Sequence, residues 1–280
     1  MKLIDTHQHL VMRDRLGYRW TEDEPHLAGD FTRADYEALV AGRDVMATIF
    51  METGVDDADY RREARLVARM IGEGEVPIRA QVASCRPEEG EGFEAWLEEC
   101  GGLGVAGFRR ILHVMPDDLS RTEAFRANIR RMGDAGYPFD ICMLARQLPI
   151  AHELVSACPQ TQFVLDHCGV PDIAGNDFDA WRRAMARLAD HANLSVKLSG
   201  LPAYCGDDAG IENAVRPYVE ETLALFGPER VVWGGDWPVV NKTSGLAEWI
   251  AVTRNLLNGL SASEKARIGH DNAAAIYRVG

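Results

Sequence analysis

The residues best suited to chemistry stand at the ends of short apolar runs in this chain. The first run ends in the sequence D-T-H-Q-H over residues 5–9. Because side chains alternate along a strand, we expect His7 and His9 to point to the same side. Two imidazoles held in this way can bind a divalent metal or position a carbonyl and a water molecule. The alternative is a pair of hydrogen-bonded structural histidines, and H-x-H alone does not decide between the two.

A carboxylate, Asp236, closes the last apolar run in the sequence W-G-G-D-W-P over residues 233–238. In a closed barrel the first and last strands are neighbours, so Asp236 would face His7 and His9. A carboxylate in that place can take a proton from water and later return it to a leaving alkoxide. An isolated loop aspartate would more often cap a helix, whereas the pairing with H-x-H favours catalysis.

Two further runs end in charged residues, Glu52 and the pair Arg109-Arg110. Glu52 could be a metal ligand, a partner that orients a histidine, a substrate hydroxyl acceptor or an ordinary carboxylate at a helix start. An inward arginine could hold a carboxylate or polarise a carbonyl with two parallel hydrogen bonds. Only one arginine of the pair can face inward, and alternation favours Arg109. The nearby His113 is interpreted as a loop residue.

His167 and Lys197 complete the set of polar strand ends. His167 follows the run over residues 163–166 and would be within reach of a ligand at the barrel centre, although a lone buried histidine is more often structural. Cys168 beside it is interpreted as a small apolar filler, because nothing nearby marks a lowered thiol pKa. Lys197 is either an inward cation or one half of a satisfied charge pair.

Apolar runs and amphipathic stretches alternate along the whole chain, as they do in βα units. Each gap between runs leaves room for one crossover helix. We therefore predict an α/β fold, a (β/α)₈ TIM barrel that forms a single domain over residues 1–280. An open doubly wound sheet is the alternative, but no G-x-G-x-x-G follows the first run. The eight predicted strands cover residues 3–6, 46–51, 78–84, 105–109, 138–143, 163–166, 194–198 and 231–234.

Helical periodicity and capping residues lie between the predicted strands. Capping-box spacing occurs at Ser120 with Glu123 and at Ser261 with Glu264. The first connection, over residues 11–44, is longer than a helix return needs, so it could cover the barrel mouth. The strongest helix candidates cover residues 60–71, 122–135, 178–191, 212–226 and 246–257.

The overall composition excludes several classes of partner. The formal charge of -13 opposes binding to nucleic acid or to an anionic membrane, because both require a basic face. The sequence shows no signal-peptide pattern and no apolar run long enough to span a membrane. Its six cysteines include no C-x-x-C pair and are expected to be reduced, as in a cytoplasmic protein. We expect a small-molecule substrate and leave a homo-oligomer open.

Four motifs in their order and spacing resemble the amidohydrolase superfamily. They are D-T-H-Q-H-L over residues 5–10, F-V-L-D-H-C-G over 163–169, V-K-L-S-G-L over 196–201 and G-G-D-W-P-V over 234–239. The similarity is to the branch of sugar and pyrone lactonases, such as L-fuconolactonase, L-rhamnonolactonase and 2-pyrone-4,6-dicarboxylate lactonase. It extends over residues 5–277 and implies an amidohydrolase-like barrel that hydrolyses the ester bond of a lactone.

The resemblance also implies roles for particular residues. Asp236 would be the general base, with His7, His9 and His167 as the other catalytic residues, and Arg109 would hold the lactone carbonyl or another polar group. Binuclear members of the superfamily carry a bridging lysine on the fourth strand, and residues 105–112 contain none. We therefore expect either no cofactor or one divalent metal, preferably zinc, with ligands drawn from His7, His9, His167 and Asp236.

The substrate-contact candidates are Arg109, Glu52, Lys197 and Trp237. Glu52 stands where the fucose-type members commonly have a neutral amide, and Arg110 replaces the histidine of their Arg-His pair. The exact sugar therefore stays open. An isomerase or decarboxylase on the same barrel is the alternative enzyme, and a non-catalytic barrel that binds sugar acids is a third possibility.

Overall fold

The structure, a computed structural model, describes residues 1–206 and 210–279. Eight parallel strands pair in sequence order and form a nearly closed barrel, which confirms the predicted fold. Each predicted run contains one strand, and the bounds differ by no more than two residues at either end. The strands are β1 Leu3–Gln8, β2 Val45–Met51, β3 Ile78–Ser84, β4 Val105–Ile111, β5 Phe139–Cys142, β6 Phe163–Leu165, β7 Leu194–Leu198 and β8 Val231–Trp233.

Helices follow the strands on the outside of the barrel, and all five helix candidates are present. Three helices that the sequence pattern did not single out, α1, α3 and α5, fill the remaining connections. The helices are α1 Arg33–Val40, α2 Tyr60–Ala68, α3 Phe93–Cys100, α4 Glu123–Asp134, α5 Leu148–Ala157, α6 Phe178–Ala189, α7 Ile211–Phe226, α8 Leu246–Leu256, α9 Ala262–Ala266 and α10 Asn272–Tyr277.

One of the two predicted capping boxes is wrong. Before α4, the N-cap is Thr122, whose hydroxyl accepts a hydrogen bond from the Phe125 N–H, and Ser120 lies buried in a preceding turn. The Ser120 spacing matched the pattern by chance, because an extra turn separates that residue from the helix. The Ser261 box before α9 is confirmed, since the Ser261 hydroxyl accepts from the Glu264 N–H and the Glu264 carboxylate accepts in return.

The seam between β8 and β1 closes the barrel. The Asp236 N–H donates to the His7 carbonyl at 2.8 Å, and the His9 N–H donates to the Trp237 carbonyl at 2.9 Å. A single parallel bridge between Gln8 and Trp237 takes the place of a longer ladder. The last strand therefore joins the first through the same short segments that carry the H-x-H motif and Asp236.

The barrel interior is apolar at its amino end and polar at its carboxyl end. Tyr277 and Val279, from the end of the chain, pack among the inward residues of β1, β2, β3, β6 and β8. They plug the amino end of the barrel. A second and larger apolar cluster lies between the strands and the surrounding helices. The site lies at the end at which β1 to β8 finish, and below it the Tyr277 hydroxyl donates to the buried Asp140 carboxylate.

The first connection lies over the carboxyl end of the barrel, as the sequence indicated. It pairs with itself through a Val11–Phe31 bridge and contains α1. Trp20 and Glu24 of this connection line the cavity at the barrel mouth. The six cysteines form no disulfide with one another, and five of them are buried. Over the residues that the structure describes, no helix has the length and apolar character of a membrane span.

Candidate active site

His7, His9 and Asp236 meet at the carboxyl end of the barrel. Asp236 Oδ1 lies 3.6 Å from His7 Nε2 and 3.5 Å from His9 Nε2. All three side chains are buried. His7 lies near the end of β1, His9 directly follows that strand and Asp236 follows β8, so barrel closure brings together groups that are more than two hundred residues apart in sequence. The predicted juxtaposition of these three residues is thus present in the structure.

Asp5 holds the two halves of this cluster together. Its Oδ1 accepts hydrogen bonds from the His7 N–H at 2.9 Å and from the Gly235 N–H at 2.7 Å. Its Oδ2 accepts from the Tyr36 hydroxyl at 2.7 Å. Burial raises the pKa of Asp5, although these hydrogen bonds oppose the shift. One carboxylate therefore fixes the backbone of both β1 and the turn that carries Asp236.

His167 approaches Asp236 from the third side. Its Nδ1 is 2.9 Å from the Ser199 hydroxyl and 4.0 Å from Asp236 Oδ2. Both His167 and Asp236 have φ near +55°, a conformation that non-glycine residues rarely adopt. Gly200 makes this approach possible, since a Cβ there would lie 2.8 Å from Asp236 Oδ2 and closer still to the His167 ring. Backbone strain of this kind concentrates at functional sites.

Arg109 is the inward member of the arginine pair. Its Nε and Nη2 donate to the Glu52 side chain and the Glu52 carbonyl, both at 2.6 Å. Its Nη1 lies 3.3 Å from Asp166 Oδ2 and 3.2 Å from His7 Nε2. Burial has the largest single effect and lowers the pKa of Arg109, but Glu52 and Asp166 contribute to a larger combined effect that raises it. Arg110 instead forms an ion pair with Glu88 away from the cavity.

Lys197 forms a buried charge pair beneath the site, the alternative that the sequence left open. Its Nζ lies 2.5 Å from Asp140 Oδ2 and 3.1 Å from Asp166 Oδ1. Burial raises the pKa of Asp166, but Lys197, followed by His7 and Arg109, lowers it well below its usual value. Asp166 is therefore an anion, and its Oδ1 lies 3.4 Å from His7 Nδ1. This contact favours a proton on Nδ1 and leaves His7 Nε2 as the free nitrogen.

Three of the substrate-contact candidates do not line the cavity: Glu52, Lys197 and Trp237. The Glu52 side chain is bound by Arg109, and the Trp237 indole packs against Phe31 with ring centroids 5.4 Å apart. Arg109 does line the cavity. The structure thus gives Glu52, Lys197 and Trp237 supporting positions, whereas Arg109 contributes to the cavity lining.

The cavity above His9 and Asp236 has a volume of about 360 Å³. His113 lies in a turn after β4, as the sequence suggested, but it is also part of the cavity wall, and its Nδ1 lies 3.3 Å from Cys142 Sγ. Burial and the charge of Arg109 lower the pKa of His113 to about 4, so its ring is neutral at pH 7. Tyr204 also lines the cavity, and its place in a turn after β7 left no periodic signal in the sequence.

The residues present fit one divalent metal ion. His9 Nδ1 lies 3.0 Å from the Met51 carbonyl, which only accepts, so Nδ1 carries the proton and Nε2 is free. A tetrahedral zinc site with bonds of about 2.0–2.2 Å places its ligand atoms roughly 3.3–3.6 Å apart, which includes the separations around Asp236 Oδ1. His7, His9 and Asp236 form one candidate ligand group. His7, Asp166 and His167 form a second, but Lys197 and Arg109 already neutralise Asp166.

Comparison with known proteins identifies the family. The family model described as amidohydrolase matches residues 4–279. L-fucono-1,5-lactonase of Burkholderia ambifaria is 28% identical over 99% of this chain and 95% of that protein. An uncharacterised protein of Sinorhizobium fredii, y4mH, is 26% identical over 99% of this chain and 98% of its own length.

A solved structure shows the same fold. The crystal structure of an amidohydrolase from Burkholderia multivorans with bound zinc superposes with a TM-score of 0.89 at 24% identity, covering 100% of both chains. The family match spans nearly the whole chain and includes all four motifs as well as the residues around Asp236. The chain therefore belongs to the amidohydrolase family, and it is a hydrolase.

Proposed function

We propose that this hydrolase opens a small sugar lactone with a water molecule that Asp236 activates. The observation that carries the proposal is the position of the Asp236 carboxylate, which lies 3.5 Å from His9 Nε2 and 3.6 Å from His7 Nε2 at the floor of the cavity. Relatives named L-fucono-1,5-lactonase and L-rhamnono-gamma-lactonase support the same substrate class. A carboxylate beside two imidazoles can activate a water molecule for attack on an ester carbonyl.

The two oxygens of Asp236 have different surroundings. Oδ1 faces the two histidines, whereas Oδ2 is buried without a hydrogen-bond partner. In the proposed reaction Oδ2 accepts a proton from water as the water oxygen bonds to the lactone carbonyl carbon. The bond from that carbon to the ring oxygen then breaks, and Asp236 returns the proton to the ring oxygen. The product is a hydroxy acid, which releases a proton to solvent at pH 7.

Neighbouring groups orient the two imidazoles. Asp166 faces His7 Nδ1, and the Met51 carbonyl accepts from His9 Nδ1, so both Nε2 atoms point to Asp236. Arg109 Nη1 is the nearest fixed positive charge to His7 Nε2 and can stabilise a developing oxyanion. One divalent ion held by His7, His9 and Asp236 would supply a Lewis acid that polarises the carbonyl and acidifies water.

A panel of neutral aldonolactones in a pH-indicator assay tests the proposal. We expect acid release from at least one lactone and a loss of about 10²–10⁴-fold in kcat for Asp236→Asn. Asp118→Asn is the matched control, because Asp118 is exposed and outside the cavity. Unchanged turnover of Asp236→Asn would refute the role of that residue. A lactone consumed without acid release would point to isomerisation instead.

Removal of metal with a chelator tests whether hydrolysis requires a metal ion. The purified protein is dialysed against chelator, its metal content is measured, and the panel is repeated before and after addition of zinc. We expect loss and recovery of activity together with bound zinc near one ion per chain. Full activity of the metal-free protein would leave hydrolysis by Asp236 intact and remove the metal from the proposal.

A further inference from the structure

A second pocket, on the outside of the barrel, is lined by cations. It lies between the first connection and α2, shares no lining residue with the cavity at the barrel mouth, and has a volume of about 210 Å³. Among its described lining residues four are arginines, two are leucines and none is a carboxylate. We call it the arginine pocket, and its residues are Arg15, Leu16, Arg62, Arg65, Leu66 and Arg69.

The spacing of three of these arginines places them on one side of α2. Arg62 and Arg65 lie on the helix, and Arg69 directly follows it in helical conformation. They are separated by three and four residues, the spacing at which helix side chains are neighbours and at which like charges repel. The chain contains 43 acidic and 30 basic residues, so its composition does not account for a cluster of cations. An anion in the pocket would relieve the repulsion.

Arg69 has most of its hydrogen-bonding capacity free for a ligand. A guanidinium carries five N–H donors, and Arg69 uses one of them, on Nη1, to bind the Arg65 carbonyl at 2.9 Å. The ion pairs of this region join Arg62 to Asp59 and Arg65 to Glu99, and Arg69 takes part in none of those formed by the described residues. Its charge is therefore not matched by a carboxylate.

The ion pairs of Arg62 and Arg65 do not block the pocket. Both arginines are exposed, and exposed ion pairs contribute little to stability. Arg62 uses one donor for Asp59 and one for a backbone carbonyl, and Arg65 uses two donors for Glu99. Each guanidinium keeps further N–H groups, so a bound anion would not have to displace either carboxylate.

The arginine pocket adjoins the contact between α2 and the first connection. Arg62 Nη2 donates to the Arg15 carbonyl at 2.9 Å, and Asp59 Oδ2 accepts from the Gly17 N–H at 2.9 Å. Trp20 of the same connection lines the cavity at the barrel mouth. An anion bound both by Arg15 and by the arginines of α2 would add a third link beside these two hydrogen bonds.

We propose that the arginine pocket binds a small anion with a phosphoryl group, and that the bound anion holds the first connection against α2. The oxygens of a phosphoryl group can accept from guanidinium groups on more than one side. Leu16 and Leu66 provide an apolar surface for a short carbon skeleton. The pocket is smaller than the roughly 300–1,000 Å³ of drug-sized sites, which favours a small ligand. The net charge of -13 opposes a polyanionic polymer.

Calorimetric titration of the purified full chain with inorganic pyrophosphate tests the binding. We expect saturable binding at low ionic strength and weaker binding at physiological ionic strength, because salt screens exposed charges. Arg69→Gln should reduce the affinity about tenfold, since it removes a charged donor without leaving a carboxylate unpaired. Arg183→Gln is the matched control and should bind as wild type does, because Arg183 is exposed on α6, on the opposite side of the barrel.

Two results of the titration would overturn the proposal. One is the absence of saturable pyrophosphate binding at low ionic strength. The other is an equal affinity of wild type and Arg69→Gln, because the anion would then bind outside the arginine pocket. Neither measurement involves turnover, so the result is independent of the proposed lactone hydrolysis.

Hydrogen exchange of the backbone amides over residues 14–20 tests the link to the first connection. At about ten times its Kd, pyrophosphate should slow this exchange about tenfold in wild type, because opening of the segment must then release the anion. At the same concentration Arg69→Gln should show a slowing of only about twofold, as its tenfold weaker binding requires. An unchanged exchange rate in wild type saturated with pyrophosphate would overturn the proposed link.

Discussion

Replacing Gly200 by alanine should damage the site much more than a glycine change with the same backbone conformation elsewhere. Gly200 has φ of +67°, and its missing Cβ is the space into which His167 and Asp236 extend. Gly42 has φ of +71° with nothing within 4 Å of an added Cβ. The two positions therefore share the backbone penalty and differ only in the contact.

The expected magnitudes separate these two effects. An alanine in the left-handed region costs about 1–2 kcal/mol, so Gly42→Ala should lower the free energy of unfolding by that amount. Gly200→Ala must also move His167 and break its bond to Ser199, which adds about 1 kcal/mol or more. Displacement of a catalytic group by about 1 Å can reduce turnover about 10²-fold. We therefore expect a loss of that order in kcat for Gly200→Ala and near wild-type kcat for Gly42→Ala.

Urea unfolding of both variants, measured beside lactone hydrolysis, tests the reasoning. The reasoning is refuted if Gly200→Ala and Gly42→Ala have the same kcat, because the clash would then have no effect on the site. A large loss of activity in Gly42→Ala would be equally damaging, since that residue is remote from the cavity.

Three further predictions concern stability. Lys197→Met should lower the free energy of unfolding by about 3–5 kcal/mol, because it leaves the buried carboxylates of Asp140 and Asp166 without their cation. Burial and the charge of Glu52 raise the pKa of Glu63 to about 8, so stability should fall as pH rises from about 4.5 through 8, and Glu63→Gln should reduce that fall. Ser261→Ala should cost about 1 kcal/mol through loss of the N-cap.

Each of these three changes is measured by urea denaturation, with a different result counting against it. For Lys197→Met, an unfolding midpoint equal to that of wild type would contradict the buried charge pair. For Glu63, the free energy of unfolding is compared at pH 5 and pH 8.5. An equal decrease in wild type and Glu63→Gln would show that this carboxyl does not titrate between these pH values. Ser244→Ala is the control for Ser261, because the Ser244 hydroxyl contacts only the Gly245 carbonyl, at 3.4 Å, and does not cap α9.

The strands were predictable because their signal is local. A buried parallel strand is a short continuous apolar run, and the eight runs could be counted directly. Helices α1, α3 and α5 were harder, since α1 lies within the long first connection and the other two fill gaps that the pattern did not single out. The capping box predicted at Ser120 was wrong for a related reason. The spacing of Ser120 and Glu123 matches the pattern but cannot reveal the extra turn before α4.

Site residues at the ends of strands were predictable from the sequence, whereas those in loops were not. H-x-H and Asp236 follow from their places at the ends of β1 and β8. The roles of Glu52 and Lys197 depend on which partner lies across the barrel, Arg109 for one and Asp140 with Asp166 for the other. No single-sequence pattern reveals such pairs. His113 lies in a turn, where side-chain direction has no period to read.

The Asp5 carboxylate binds the backbone of both β1 and the turn after β8, so the active site is complete only when the barrel has closed. Its hydrogen bond to Gly235 spans 230 positions of the chain, so the contact has the greatest loop-closure requirement of any in the site. During refolding, signals from secondary structure and apolar burial can recover while the β8 to β1 seam is still open. Hydrolytic activity should then return later than both signals. The delay would measure how long the β8 to β1 seam takes to form after them.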